Sequence, residues 1–117
     1  MSDHAPIWIL DEVMTKPGQG PAFLAAYMER YAPNAQARGM TLAHRMVEPA
    51  MWRDDAPNRV LFIWTLPSAG AVWGSKQAAR LDPDVAKWWN EEAPVFIESR
   101  KRSTLADADI LAELDHV

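Results

Sequence analysis

The amino-acid sequence predicts an α+β fold, in which a four-stranded antiparallel sheet carries helices on one face. Strand-like and helix-like segments follow in the order β-α-β-β-α-β, the split arrangement that brings both main helices to one side of the sheet. The third strand, RVLFIWTL at 59–66, is apolar on both faces, which indicates that a layer covers each side of it. The helices provide one layer, and a second copy of the chain is the simplest source of the other.

The first strand and the first helix are separated by a turn rich in glycine and proline. The segment IWILDEVMT at 7–15 is β-prone and is followed by KPGQGP. Gly20-Pro21 begins a helix, because proline suits the first helical position. Apolar residues at three-and-four spacing form one stripe on this helix: Phe23, Leu24, Tyr27, Met28 and Tyr31. Pro33 is expected to end or kink the helix, and Gly39 is a suitable stop.

The second half of the chain also contains strands and helices, and its helices have clear capping residues. A second strand, MTLAHRMV at 40–47, precedes the turn RDDAPN and the third strand. Ser68 is a suitable cap for a helix over 69–80, with Val72 and Trp73 facing inward.

The chain after the second helix predicts a short helix and the last strand. Asp82-Pro83 begins the helix and Pro94 ends it. The fourth strand, VFIESRKRSTL at 95–105, is apolar only at its start. The tail from 106 to 117 is predicted to form one or two helical turns, or else to fray.

Length and composition predict one domain over 1–117, with its core at about 7–105. The net charge of −4 argues against a nucleic-acid partner, and no apolar run is long enough for a membrane span. There is no cysteine, and the N-terminus lacks the features of a signal peptide, so a cytoplasmic location is expected. No histidine pair has ligand spacing, so neither a metal nor a cofactor is predicted; haem would have only His44 as a ligand.

Six tryptophans distinguish the composition, at positions 8, 52, 64, 73, 88 and 89. They are either core residues or the walls of a cavity for a flat, aromatic ligand. Trp88 and Trp89 are neighbours in a helical stretch and therefore point about 100° apart. One of them is expected to close the core, and the other to cover a ligand or a partner chain; the spacing does not say which.

Three sequence features resemble the NIPSNAP-like branch of the dimeric α+β barrel superfamily, whose subunits have the ferredoxin-like βαββαβ order. These are KPG after the first strand, WTLPS after the third, and the stretch RLDPDVAKWWNEEAPVFIESRKRSTL. The resemblance covers roughly 7–105. The sequence departs from this branch in its first strand. Members carry polar residues at alternate positions there, whereas here only Asp11 and Glu12 are polar inside the strand.

The resemblance implies a homodimer in which two sheets pair face to face, and a pocket between the sheet and helices of each subunit. Relatives use this pocket for cofactor-free chemistry on small aromatic or polyketide-like molecules, and a few hold haem. In related cyclases an F-x-x-x-Y pair on the first helix lines the cavity, and Phe23 and Tyr27 match it.

Three residues are candidates for proton transfer. His44 is the only histidine in a predicted strand and is either an acid or base, or a hydrogen-bonded sheet residue. Asp11 shares a strand face with apolar neighbours and is either a pocket carboxylate or the salt-bridge partner of Arg45, Arg59 or Arg100. Tyr27 is either a donor to a developing oxyanion or a core tyrosine.

The pattern therefore predicts a cofactor-independent lyase, isomerase, cyclase or monooxygenase acting on a small hydrophobic, aromatic molecule. The predicted catalytic residues are His44, Asp11 and Tyr27. Six aromatic side chains are predicted to shape the pocket: Phe23, Phe62, Trp64, Trp73, Trp88 and Trp89. The alternative is a non-catalytic dimeric protein that binds a small molecule or serves as a scaffold. Glu98 and Arg100 are expected on one face of the last strand, where they either bind a polar substrate group or pair.

Overall fold

The structure, a computed structural model, describes the backbone of residues 5–114 and the side chains of residues 5–111. Its four strands are β1 (Ile7–Thr15), β2 (Thr41–Glu48), β3 (Arg59–Leu66) and β4 (Ile97–Ala106). They form one antiparallel sheet in the spatial order β2-β3-β1-β4, so β1 lies at the centre and β4 at an edge. The predicted β-α-β-β-α-β order along the chain and the predicted four-stranded antiparallel sheet are confirmed.

The first helical segment, α1, spans 20–37 and consists of α-helical Gly20–Ala26, a π turn at Tyr27–Tyr31 and α-helical Ala32–Ala37. Of the two outcomes predicted for Pro33, an end or a kink, the end is not observed, and the helix continues to Ala37. Proline lacks a backbone donor and its ring crowds the preceding turn. The π turn directly before it has the wider i→i+5 bonding, which accommodates such a break without ending the helix. Gly39, with φ +93°, follows the end of the segment as predicted.

The remaining helices begin where capping residues predict. Helix α2 (Ala69–Leu81) is capped by the Ser68 side chain, which accepts a hydrogen bond from the Ala71 amide. Helix α3 (Pro83–Lys87) is capped in the same way by Asp82, whose pKa is lowered by hydrogen bonds from the Asp84 amide and from Asn34. A π turn (Trp88–Glu92) and a 3₁₀ turn (Ala93–Val95) continue α3 to β4, and α4 (Ala108–Leu114) follows the sheet.

The two faces of the sheet have different surroundings. The face that packs against the helices is buried and is formed by Ile9, Asp11, Val13, Val60, Phe62, Trp64 and Leu66. The opposite face, here called the outer face, carries partly or largely exposed apolar side chains: Trp8, Leu10, Met14, Met46, Leu61, Ile63 and Leu105. The helices thus cover one of the two apolar faces of the sheet, as the sequence predicts.

Helix α2 contributes less to this core than the sequence predicts. Val72 is buried, but Trp73 is 66% exposed, so the prediction that Trp73 faces inward is wrong. The buried positions of α2 are Val72 and Ser75, which form a narrow stripe. Trp73 follows Val72 directly and therefore points about 100° away from this stripe. Among the described residues, no helix has both the length and the apolarity needed to cross a membrane.

Candidate functional site

The centre of the candidate site is Asp11, a buried carboxylate on the helix side of β1. It is 2% exposed and lies in register with Arg102 of β4. Arg102 donates two hydrogen bonds to it, from Nε to Oδ1 at 2.6 Å and from Nη2 to Oδ2 at 2.7 Å. This bidentate pairing matches the planar guanidinium to the planar carboxylate and places a complete ion pair inside the apolar layer.

Tyr27 joins the first helix to this ion pair. Its hydroxyl donates to Asp11 Oδ2 at 2.9 Å and accepts from the Trp64 indole Nε1 at 2.8 Å. Its ring stacks on Phe62, with 3.6 Å between the ring centroids. Burial, and then the charge of Asp11, raise the pKa of Tyr27 well above its usual value. Tyr27 is therefore a neutral hydrogen-bond donor at neutral pH and not a base.

Tyr31 lies at the other end of the π turn and forms the second phenol of the site. Its hydroxyl oxygen accepts hydrogen bonds from Arg102 Nη2 at 2.8 Å and from Arg38 Nη2 at 3.0 Å. Arg38 also donates to Asn34 Oδ1 at 2.8 Å and to Ser75 Oγ at 3.0 Å. One hydrogen-bonded chain therefore runs from β1 through β4 and α1 to α2.

The two arginines on β4 respond oppositely to this environment. Burial disfavours the charged form of Arg102, but the hydrogen bonds and charge of Asp11 outweigh it and raise the pKa of Arg102. Burial and the neighbouring charge of Arg102 lower the pKa of Arg100. Arg102 is therefore fixed as a cation by its partner, whereas Arg100 carries its charge beside another positive group.

The adjacent tryptophans have distinct roles in the packing. Trp88 is 2% exposed and stacks near Phe23 and Tyr31, at centroid distances of 6.0 and 6.3 Å. Its Nε1 has no hydrogen-bond partner among the described residues. Trp89 is only partly buried, and the Arg100 guanidinium lies 3.7 Å over its ring. Trp88 thus closes the core, and Trp89 forms the outer wall of the cluster.

A groove of about 200 Å³ opens beside this cluster, between the sheet and α2. It is lined by Ile7, Ala69, Val72, Trp73, Lys76 and Thr104. Thr104 lies two residues beyond Arg102 on the same face of β4, a step of about 7 Å along a strand. On α2, Ser75 contacts Arg38, and its neighbour Lys76 lines the groove. No lining residue of the groove belongs to the hydrogen-bonded chain, but Thr104 and Lys76 lie close along β4 and α2 to Arg102 and Ser75, which do.

The structure brings most of the predicted site residues together, with different degrees of access. Asp11 and Tyr27 share a hydrogen bond, while Trp89 forms the partly open wall. Four predicted pocket residues are fully or almost fully buried around them: Phe23, Phe62, Trp64 and Trp88. Trp73 stands apart from this cluster and lines the groove.

His44 does not lie with Asp11 and Tyr27. It is exposed and pairs with Ile63, on the outer face of the sheet. The reason is a register shift between Leu42 and His44, which makes Ala43 an extra residue in β2. Such a bulge reverses the alternation of the side chains that follow it. Without it, His44 would have shared the inward face of Leu42.

The arginine that pairs with Asp11 differs from the three named by the sequence. Arg59 lies on the outer face, 3.5 Å from Glu12 and 3.1 Å from Glu48. Arg100 stacks on Trp89, and Glu98, which is exposed, makes no ion pair with it among the described side chains. Arg102 takes the place beside Asp11 because the β1–β4 register, which short-range patterns do not encode, sets the two opposite each other.

Sequence reasoning also missed the roles of Arg38 and Tyr31. Tyr31 was visible only as the last residue of an apolar stripe, and Arg38 only as a residue before a helix stop. The spacing of Tyr27 and Tyr31, four residues apart, is the one local signal for two phenols on the same side of α1. Within the described residues, no cluster of three or more histidine, aspartate or glutamate side chains is arranged to hold a metal ion.

Solved structures of NIPSNAP proteins share this fold. An uncharacterized NIPSNAP domain protein from Burkholderia xenovorans is 14% identical, with 87% of this chain and 94% of that one covered, at a TM-score of 0.67. A NIPSNAP family protein from Agrobacterium tumefaciens is 16% identical over 91% and 89% of the chains, at a TM-score of 0.69. Another from that organism, of unknown function, is 14% identical over 90% of each chain, at a TM-score of 0.66.

No sequence model of a known family and no curated protein matches this chain. The structural likeness nevertheless covers most of every chain compared, and it includes the antiparallel sheet with its helices. The predicted resemblance to NIPSNAP-like proteins is therefore confirmed at the level of the fold. At these identities the comparison carries no reaction or substrate to this chain.

The raised pKa of Tyr27 gives a direct spectroscopic prediction. The chain contains two tyrosines, so Tyr31→Phe leaves Tyr27 as the only phenol. In this variant the ultraviolet signal of tyrosinate should appear well above pH 10 while the protein is folded, and near pH 10 once urea unfolds it.

The sign of the linked stability change follows from the proton count. Above pH 10 the unfolded chain loses the Tyr27 proton before the folded chain does, so stability should fall as the pH rises through this range. A tyrosinate signal near pH 10 in the folded variant would contradict the burial of the Tyr27 hydroxyl.

Proposed function

We propose that this protein is a cofactor-independent enzyme that acts by proton transfer on a small hydrophobic, aromatic molecule. The molecule would bind in a pocket between the sheet and the helices. The observation that carries the proposal is the buried Tyr27 hydroxyl, held between the Trp64 indole and the Asp11 carboxylate in the aromatic layer between sheet and helices. Buried polar groups in a concave apolar site are typical of small-molecule pockets. A buried phenol with a displaced pKa, such as Tyr27, is a candidate for a role in acid–base chemistry.

Each residue of the pair has a role that its surroundings favour. Tyr27 keeps its proton and is suited to stabilise an oxyanion, such as the enolate that forms when a carbon acid next to a carbonyl is deprotonated. Asp11 is the buried carboxylate beside it and would accept the proton from carbon and later return it. Lyases, isomerases, cyclases and some monooxygenases share this step, so the proposal fixes the step and not the overall reaction.

For Asp11 to accept a proton, substrate binding would have to break at least one of the hydrogen bonds that its carboxylate accepts. In the structure the carboxylate accepts three hydrogen bonds, two from Arg102 and one from Tyr27. A substrate group that draws Arg102 toward itself would free an oxygen of Asp11 for proton transfer. His44 is not included in this mechanism, because it lies on the opposite face of the sheet.

A second candidate function is supported by the fact that Asp11 already accepts three hydrogen bonds within the protein. Because Asp11 and Tyr27 satisfy each other inside the core, they also suit a non-catalytic protein that binds a small molecule in the groove or serves as a dimeric scaffold. In that case the network would stabilise the fold and position the groove, and no proton would be exchanged with the ligand. Turnover separates the two candidates.

We also propose that a second copy of the chain covers the outer face, giving a homodimer in the cytoplasm. Leu61 and Ile63 are only partly buried there, Met46 is 50% exposed and Leu105 is 44% exposed. Exposed apolar side chains gathered on one sheet face are typical of an interaction surface. The absence of cysteine supports the reducing compartment.

Proton exchange in D₂O tests the enzymatic proposal. Aromatic carbonyl compounds incubated with the protein are screened by NMR for loss of the proton next to the carbonyl. For a compound that exchanges, Asp11→Asn should lower the rate by about 10²–10⁴-fold and Tyr27→Phe by about 10²-fold. His44→Ala is the matched control and should leave the rate within about twofold, because His44 does not reach the site.

Two outcomes would decide against the mechanism. Loss of exchange in His44→Ala, with exchange retained in a folded Asp11→Asn protein, would move the chemistry to the outer face. Binding of aromatic compounds without any exchange would favour the non-catalytic candidate.

Sedimentation equilibrium tests the dimer. The wild-type protein should have twice the chain mass of 13.2 kDa. Ile63→Lys places a charge on the outer face and should give folded monomers, whereas Gln77→Lys, at an exposed position of α2, should leave the dimer intact. A wild-type mass of one chain, or a dimer unaffected by Ile63→Lys, would contradict the proposed interface.

A further inference from the structure

The hydroxyl of Tyr31 has a hydrogen-bond donor with no acceptor among the described residues. The side chain is 1% exposed, and its oxygen accepts from both Arg38 and Arg102. A phenol has two lone pairs and one O–H, so both lone pairs are occupied and the hydrogen must point elsewhere. A buried donor without an acceptor destabilises a fold, and a ligand that supplies the acceptor removes this cost.

The two guanidinium groups beside Tyr31 also retain unused donors. Arg38 uses Nε and Nη1 for Asn34 and Ser75, and its Nη2 makes one bond, to Tyr31. Arg102 uses Nε and Nη2, and its Nη1 has no partner among the described residues. Both guanidinium carbons lie 5.8 Å from the Tyr31 ring centroid. Donors from three side chains therefore converge near one phenolic oxygen.

The charges around this oxygen are unbalanced toward the positive. Asp11 pairs with Arg102, and Arg100 stacks on an indole. The hydrogen-bond partners of Arg38 are neutral, and Asp82 is linked to it through their shared partner Asn34. Within residues 5–111, no carboxylate lies within 4.0 Å of Arg38 or Arg100. The whole chain is acidic, with a net charge of −4, so this local excess of cations is specific to the site.

We infer that the ligand held between sheet and helices is a hydrophobic carboxylic acid, bound as its anion between Arg38 and Arg102 at the Tyr31 hydroxyl. A carboxylate has about four lone-pair sites and no donor, which matches the unused N–H and O–H groups. The apolar body of the acid would lie in the groove formed by Ile7, Val72 and Trp73. This inference rests on the ligand site of the proposed function and names its substrate class.

The placement of the groove supports this orientation of the ligand. It contacts β4 at Thr104, just beyond Arg102, and contacts α2 at Lys76, next to the Ser75 that Arg38 binds. An acid whose apolar body lies in the groove would extend its carboxylate past Thr104 and Ser75 toward the two arginines, while Lys76 adds a positive charge to the groove lining. Such an anion would also compete with Asp11 for Arg102, the release that the proposed mechanism requires.

Binding of a matched acid and amide tests the inference on the full-length protein. 4-Fluorophenylacetate and the neutral 4-fluorophenylacetamide are titrated separately and followed by ¹⁹F NMR. The acid should bind at least about tenfold more tightly than the amide. Arg38→Gln should remove this preference, and Arg80→Gln, which removes a charge from an exposed position of α2, should keep it.

A second variant covers the case in which Arg38→Gln does not fold. Tyr31→Phe keeps the ring but removes the hydroxyl, and it should weaken binding of the acid several-fold while leaving the amide unchanged. Equal affinity for acid and amide would overturn the inference and leave the groove as a site for neutral ligands. An acid preference that survives in Arg38→Gln and Tyr31→Phe would also overturn it.

The experiment separates this inference from the proposed function. A preference for the acid that depends on Arg38, with no proton exchange in any substrate, would support the inference and contradict the enzymatic proposal. Absence of binding for both probes would overturn the inference, and the exchange assay with aromatic carbonyl compounds would still decide the enzymatic proposal.

Discussion

The buried ion pair between Asp11 and Arg102 is the interaction on which the site depends. A carboxylate that is 2% exposed is costly in an apolar core unless it is paired and hydrogen-bonded. Arg102 meets this need with two bonds, and the same carboxylate and guanidinium then bind Tyr27 and Tyr31. The charge pair thereby fixes α1 over the centre and edge of the sheet. Removing Arg102 would leave the Asp11 charge buried without a partner, whereas removing Asp11 would leave a guanidinium whose side chain is 26% exposed.

The helical irregularities of the chain occur where the aromatic residues meet. Tyr27 and Tyr31 bound one π turn, and Trp88 and Trp89 begin the other. A π turn widens the helix locally and is frequent at functional sites. Here the two turns face each other, since Tyr31 lies near both tryptophans, at centroid distances of 6.3 and 5.2 Å. The two turns thus place large rings and phenols around one polar centre.

The sequence predicted the elements well because short-range physics defines them. β1 and β3 have the predicted bounds, and Ser68 and Asp82 cap the helices that they were expected to cap. The site was harder to predict, because it depends on long-range register. The bulge at Ala43 moved His44 to the outer face, and the β1–β4 pairing chose Arg102 as the partner of Asp11. The burial of Asp11 and Tyr27 on one side followed from alternation and from the apolar stripe alone.

A double-mutant cycle between Asp11 and Arg102 tests the central claim most directly. Asp11→Asn, Arg102→Gln and the double variant are unfolded with urea, and the free energies of unfolding are compared with the wild type. Each single change should cost about 3 kcal/mol, and the double change should cost less than their sum by about 2 kcal/mol or more. Additive effects, with no coupling energy between the two positions, would contradict the claim that this ion pair organises the site.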